Sequence, residues 1–328
     1  METGMQTPIQ KRERNRRAGL SGYVRTQARW FYVFISPWIL GLLVFTLIPV
    51  SVGLLMSFTD FTGSNFHTVK WIGLANYAEA FGQFLNNGDA WYSLSRTLLF
   101  AAITIPINIA LSLLIAVLLT RNIRGQGLFR TLFYIPSIIP IVAGAWIFKL
   151  LFDNNYGVVN GVLDKIVQGT FIHWMTNYSF EVLIMWSVWA GVGGALVIFM
   201  AGIQGVPSEL VDAARIDGAS PFQLFLSITL PLMTPVVFYQ FVIGIIGALQ
   251  VLQAPILLAP NSRGLSSIPP RENYMFLVNV YQQSFNQQRY GYGSALLWIL
   301  FVFILILTLV VTYSGKYWVY YENEPEKR

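Results

Sequence analysis

The chain has no cysteine and only two histidines, His67 and His173, in 328 residues. A disulfide framework, a thiolate metal site and a cysteine nucleophile are excluded, and a multi-histidine metal site is not expected. Charge is the next scarcity. Only 11% of residues are Asp, Glu, Lys or Arg, against about 25% in an ordinary soluble domain. No G-x-x-x-x-G-K-[ST] phosphate loop is present: SGKY at 314–317 lacks both the first glycine and the terminal Ser/Thr. The G-x-S-x-G and H-E-x-x-H patterns are also missing. What remains is apolar: 55% hydrophobic residues and a mean hydropathy of +0.56. This composition reads as a membrane protein. The formal charge of +6 does not point to nucleic acid, because the positive charge is concentrated in one run, KRERNRR at 11–17.

A membrane-crossing helix needs about 20 predominantly apolar residues. Six segments qualify, near 30–58, 97–119, 132–152, 182–203, 236–259 and 295–313. The first is too long for the apolar region of a cleaved leader and reads as a retained anchor. Pro49, Pro106, Pro136 and Pro140 fall inside these spans, so kinked helices packed in a bundle are expected. The 11–17 run, with Arg121, Arg124, Arg130, Arg215 and Lys316, outweighs the cations of the other loops. Both termini are therefore expected in the cytoplasm. The expected organisation is a basic tail at 1–29, one all-α membrane domain at 30–320 and a short tail at 321–328.

The fourth and fifth spans are separated by VPSELVDAARIDGASPFQLFLSITLPLM at 206–233. Ser208 is placed to cap a short helix with Glu209 and Asp212 in its first turn. Ala213 and Ala214 favour helix, and Gly218 breaks it through a positive φ. Ser220, Pro221 and Gln223 then compose a capping box for a second helix with an apolar side of Phe222, Phe225, Leu226 and Thr229. Pro231 and Pro235 mark a turn into the fifth span. The insert reads as a compact knob for mechanical contact. Its net acidity argues against a helix lying on an anionic leaflet.

The remaining polar segments, 59–95, 153–181 and 260–293, read as solvated connectors or as a docking surface for an extracytoplasmic partner. The stretch IGLANYAEAFGQF forms a short amphipathic helix, with Asn76 as its N-cap if it starts there. The span interiors hold no acidic residue, which disfavours both an intramembrane enzyme and an ion-coupled secondary transporter. No catalytic residue and no metal ligand is expected. A neutral path suits a hydroxyl-rich cargo held by amides and aromatic faces. The candidates are Trp186, Trp189, Tyr239, Gln240, Gln250 and Gln253, the last two spaced to share a helical face.

DAARIDGASPFQLFLSITLP at 212–231 resembles the EAA motif of permease subunits of binding-protein-dependent ABC importers. Asp212, Ala213, Ala214, Gly218, Ile228, Leu230 and Pro231 fill the pattern, with Asp where the family favours Glu. IGLANYAEAF, FRTLFYIPSIIP at 129–140, MAGIQGVPSEL at 200–210 and YGYGSALLW at 290–298 are similar to the carbohydrate, maltose-permease-like branch. The segment 254–270 departs from it, lacking a Thr-x-Gly-Gly-Pro run common among those relatives. The resemblance implies a type I importer permease fold with six transmembrane helices, in a bacterial or archaeal plasma membrane. It implies that Glu209, Asp212, Ala213, Ala214 and Gly218 form a coupling helix docking on an ATPase. The implied partners are a second homologous permease, two cytoplasmic ATPase subunits and an extracytoplasmic solute-binding protein. ATP and magnesium would sit on the ATPase subunits, and no cofactor on this chain. The implied cargo is a di- or oligosaccharide, with a phosphorylated polyol as the alternative.

Overall fold

The computed structural model describes residues 26–63, 69–120, 124–260, 262 and 264–320. The basic run at 11–17 and the tail at 321–328 lie outside these residues. The chain forms two compact units, one up to Met56 and one from Ser57 onward. The described part of the first is a single apolar helix, α1 (Thr26–Met56). At about 1.5 Å per residue it exceeds the roughly 30 Å hydrocarbon thickness. Its hydrogen-bond ladder widens to π over Leu43–Leu47. That stretch contains Phe45, whose carbonyl the Pro49 ring would otherwise strike.

The second unit opens with α2 (Ala75–Leu85), α3 (Asp89–Leu119), α4 (Gln126–Ile138), α5 (Ile141–Leu151) and α6 (Val158–Ile166). It continues through α7 (Ser179–Gln204), α8 (Ser208–Ile216) and α9 (Pro221–Leu249). It closes with α10 (Gln253–Leu257), α11 (Phe276–Tyr281) and α12 (Tyr290–Trp318). No strand occurs among the described residues beyond one isolated bridge, Thr59 to Trp71, so the fold is all-α.

Among the described residues five helices, α1, α3, α7, α9 and α12, are long and apolar enough to cross a membrane. The segment 132–152 is not the continuous span expected. It is the pair α4 and α5, bent by 102°. Ile139 sits at the break with ψ 128°; a residue before proline is pushed out of the helical region, and Pro140 follows.

The fifth crossing also differs from expectation. There is no turn at Pro231 or Pro235: the helix runs unbroken from Pro221 to Leu249 and ends there, well short of residue 259. It accommodates Pro231 as α1 accommodates Pro49, with a π stretch over Phe225–Thr229 that contains the threatened carbonyl of Ser227.

Helices α3 and α7 form the centre of the bundle. At one end Leu113, Ala116 and Leu119 pack with Leu196, Phe199, Met200 and Met233. At the other, Phe100 packs with Phe180, Val182, Leu183, Phe148, Ile256, Met275 and Val278. The second set corrects the view of 260–293 as a solvated connector for residues 273–284, while most of 153–178 is exposed or half-buried. Met275, Phe276, Val278 and Asn279 are fully buried, and Phe276 N–H donates to Thr97 Oγ1 at 2.8 Å. Asn279 Nδ2 donates to Ser93 Oγ at 3.3 Å, and Tyr274 OH donates to Asn279 Oδ1 at 3.2 Å. Burial, reinforced by the Asp89 carboxylate, pushes the Tyr274 hydroxyl up to about 12, so it keeps its proton for that bond. Asn160 organises 153–181 in the same way: it donates to Ile172 O at 2.9 Å and accepts from Trp174 Nε1 at 3.0 Å.

Small residues let the helices approach. A Cβ on Gly193 would lie 2.5 Å from Phe133 O and 3.0 Å from Tyr134 Cα on α4, whereas one on Gly194 would meet nothing within 4 Å. Gly193→Leu should therefore destabilise the bundle by about 1–3 kcal/mol, read as a lower unfolding temperature in detergent. Gly194→Leu should leave that temperature unchanged. Equal effects would show that the α4–α7 approach is not the cause.

Candidate functional site

A cavity of about 770 Å³ opens between α3, α7 and α9, where the helices diverge from their shared core. Thr104 and Asn108 reach it from α3, Trp186 and Ser187 from α7, and Tyr239 and Gln240 from α9. The chain after α9 closes it with Gln250 and Gln253. No lining residue is Asp, Glu, Lys, Arg or His. Asn108 Oδ1 and Trp186 Nε1 are buried without a hydrogen-bond partner. A buried polar atom left unpaired costs about 1–3 kcal/mol; Asn108 Oδ1 lies beside Gly191, another lining residue, and Trp186 Nε1 against Gly144 of α5, outside the lining.

Five of the six residues singled out for the path line this cavity, namely Trp186, Tyr239, Gln240, Gln250 and Gln253. Trp189 does not. It packs against Phe148 with ring centroids 5.3 Å apart, in the apolar core. Gln250 and Gln253 do not share a helical face as their spacing suggested. Helix α9 stops at Leu249, Gln250 caps it, and Gln253 begins α10. They meet at the cavity because the chain turns there. Asn108 was missed by the reading of the sequence, although a lone amide in the middle of an apolar span was a usable signal.

The insert between α7 and α9 forms a second candidate site. Helix α8 begins at Ser208 itself, after Pro207, and no side chain caps it; the Ser208 cap is thus corrected. Glu209 occupies its exposed first turn, and Arg215 donates to Asp212 Oδ1 at 3.0 Å. Gly218 ends the knob with φ +81°, a left-handed conformation that costs a residue with Cβ about 1–2 kcal/mol. The capping box forms as expected: Ser220 N–H donates to Gln223 Oε1 at 2.8 Å, and Gln223 N–H to Ser220 Oγ at 3.3 Å.

Ala213 is exposed. Ala214 turns inward to line a notch of about 330 Å³ with Asp217, Gly218 and Gln223. Around that notch Ile216 is 86% and Phe222 70% exposed. Two large apolar side chains thus project on either side of Gly218, Ile216 from the end of α8 and Phe222 from the first turn of α9.

Comparisons with known proteins agree with this architecture. The family described as "Binding-protein-dependent transport system inner membrane component" matches residues 108–318. The "Probable ABC transporter permease protein YesP" of Bacillus subtilis is 35% identical, covering 90% of this chain and 93% of its own length. The "Trehalose/maltose transport system permease protein MalF" of Thermococcus litoralis is 30% identical over 89% of this chain and 95% of its own. In three dimensions, a chain of a bacterial alginate ABC transporter, solved with an alginate-pentasaccharide-bound periplasmic protein, superposes with a TM-score of 0.76. It is 21% identical and covers 89% of this chain and 95% of that one; at that identity it speaks to the fold alone. The chain belongs to the family of binding-protein-dependent transport system inner membrane components, and is a transport permease, not an enzyme.

Proposed function

We propose that the chain is one permease subunit of an ATP-driven importer moving a neutral di- or oligosaccharide into the cytoplasm. The observation that carries this reading is the uncharged cavity, lined by the amides of Asn108, Gln240, Gln250 and Gln253 and the rings of Trp186 and Tyr239. Sugars present hydroxyls to such groups and C–H faces to such rings. The volume lies within the roughly 300–1,000 Å³ of small-molecule sites. The name of the Thermococcus litoralis relative supports a sugar cargo. A phosphorylated polyol is disfavoured because no cation lines the cavity, and ion-coupled transport because no acidic or basic side chain does.

In this reading the α8 knob docks into a groove of a cytoplasmic ATPase subunit. Ile216 and Phe222 provide apolar anchors, Glu209 and Asp212 the polar rim, and Gly218 the turn that presents them. Ala213 and Ala214 keep the helix thin enough to seat. ATP and magnesium belong to two such ATPase subunits. A second permease completes the path, and a solute-binding protein delivers cargo to the opposite face. Both termini and α8 then lie in the cytoplasm.

Three outcomes are expected. Replacing Asn108, or Gln250 and Gln253 together, with Ala should raise the concentration for half-maximal uptake. The effect is about 1 kcal/mol per lost hydrogen bond, roughly fivefold, with assembly intact; unchanged uptake kinetics would remove those residues from the path. Gly218→Val and Phe222→Asp should each lower stimulated ATP hydrolysis and transport together, without changing the amount of inserted chain. Full coupled activity in both would show that the knob is not the coupling element. Finally, a cysteine replacing Tyr156 should react with an impermeant thiol reagent in intact cells, and one replacing Ser208 should not. Labelling at 208 would reverse the orientation.

A further inference from the structure

Six glycines lie within α7 and α9, the helices that wall the cavity together with α3. Glycine weakens a helix interior, so each of them calls for a reason. Four have one in close packing. A Cβ on Gly191 would lie 2.8 Å from Asn108 Oδ1, and one on Gly244 3.2 Å from Ile105 Cγ2, so these two seat side chains of α3. A Cβ on Gly193 would lie 2.5 Å from the Phe133 carbonyl oxygen, and one on Gly202 2.8 Å from the Met233 methyl. Gly194 and Gly247 have no such neighbour: a Cβ on either would meet nothing within 4 Å. Both line the cavity.

The levels of these two bare positions follow from the helix directions. Helix α7 runs alongside α3 in the same sense, Phe100 packing with Leu183 at one end and Leu113 with Leu196 at the other. Helix α9 runs the opposite way, Ile245 and Leu249 packing with Ala101 and Ile105, and Met233 with Leu113. Gly191 is level with Asn108 and Gly244 with Ile105, three residues apart on α3. Gly194 lies three residues further toward the α8 knob, and Gly247 three residues further toward Gln250. Nine residues of rise therefore separate them, about 14 Å at 1.5 Å per residue. One bare glycine stands toward each end of the cavity.

The lining around Gly247 bears on what fills the space. Gln250 and Gln253 reach the cavity at that end. An apolar helix packed there would bury their amides without partners, whereas a hydroxyl-rich guest pairs them.

We propose that Gly194 and Gly247 set the width of the cargo path, and so the bulk of the saccharide that passes, a specificity role that rests on reading this cavity as that path. Gly247 limits the end at Gln250, and Gly194 the end nearer the knob. A side chain at either position stands in the passage and excludes wide guests before narrow ones. Both positions are in regular helix, and leucine is a good helix former, so the backbone accepts the change.

The test reads width without a cargo. Ser187 lines the cavity between the two levels. Ser187→Cys is made in the full-length chain, which has no cysteine of its own, within the assembled transporter in lipid nanodiscs that leave both faces open to reagents. Labelling of this chain by methyl methanethiosulfonate and by a bulky biotin maleimide is followed by its mass, with and without ATP and magnesium. Adding Gly194→Leu and Gly247→Leu together should slow the bulky reagent by about tenfold or more and leave the small one nearly unchanged. Equal slowing of both reagents, or of neither, overturns the proposal. If position 187 of the parent is refractory to both reagents in every state, the cavity is sealed by protein, and the reading of it as the path falls as well. If 187 reacts and the leucines do not discriminate, the width assignment falls alone. Alanine at both positions replaces leucine if the leucine pair assembles poorly, with the same discrimination expected at smaller amplitude.

Discussion

A hydrocarbon bilayer offers no hydrogen bond to a peptide group, so wherever this chain leaves the helix at membrane depth the freed groups must be received by protein or by a cavity. At the break at Ile139 and Pro140 the carbonyl of Pro136 is received by Ile139 N–H, and Gly193 lets α7 approach α4 closely at Phe133. The end of α9 at Leu249 opens onto the cavity, and the following α10 is buried against the core at Ala254 and Ile256. The segment from Tyr274 to Ser284 is buried against α3 through Thr97 and Ser93. Burial of that segment follows from the same rule that makes the rest of the chain helical.

The rule also explains why the cavity sits where it does. Non-helical backbone at depth is tolerated where it lines a cavity, so the place where α9 stops is also where polar side chains can gather without being exposed to lipid. Gln250 and Gln253 reach the cavity from that turn, while Trp186, Tyr239 and Asn108 reach it from helices that diverge there. The absence of any charged lining residue keeps the desolvation cost of an empty cavity low.

Much of this architecture could be read in the sequence, and the misreadings have physical causes. Length and apolarity located the crossings, because about 20 apolar residues have few other uses. Ser220, Pro221, Gln223 and Gly218 were legible because caps and positive φ depend on local chemistry. The 102° bend was not, since Pro106 sits in a continuous helix while Pro140 ends one; proline alone does not say whether neighbours will cover a break. Gln250 and Gln253 were grouped correctly for the wrong reason, helical spacing standing in for a turn. Asn76 looked like a cap because its chemistry suits one. Only tertiary structure shows its amide spent on Ser57 and Thr59. Trp186 and Trp189 are three residues apart on α7 and both pack against the core, but only Trp186 also lines the cavity, Trp189 being set on Phe148, far away in sequence.

Helix α9 joins the two candidate sites. It starts at the capping box beside the α8 knob and ends at Gln250 on the cavity, 29 residues without a break, about 44 Å at 1.5 Å per residue. A turn at Pro231, which the sequence suggested, would have placed a flexible joint between knob and cavity. The π stretch at Phe225–Thr229 absorbs the proline while keeping the rod intact, because one extra residue in the turn relieves the clash at Ser227 without freeing the backbone. On the proposed coupling role, a force applied at α8 would reach Tyr239 and Gln240 through a continuous helix. The box of Ser220 and Gln223 holds the near end of that helix in register with the knob.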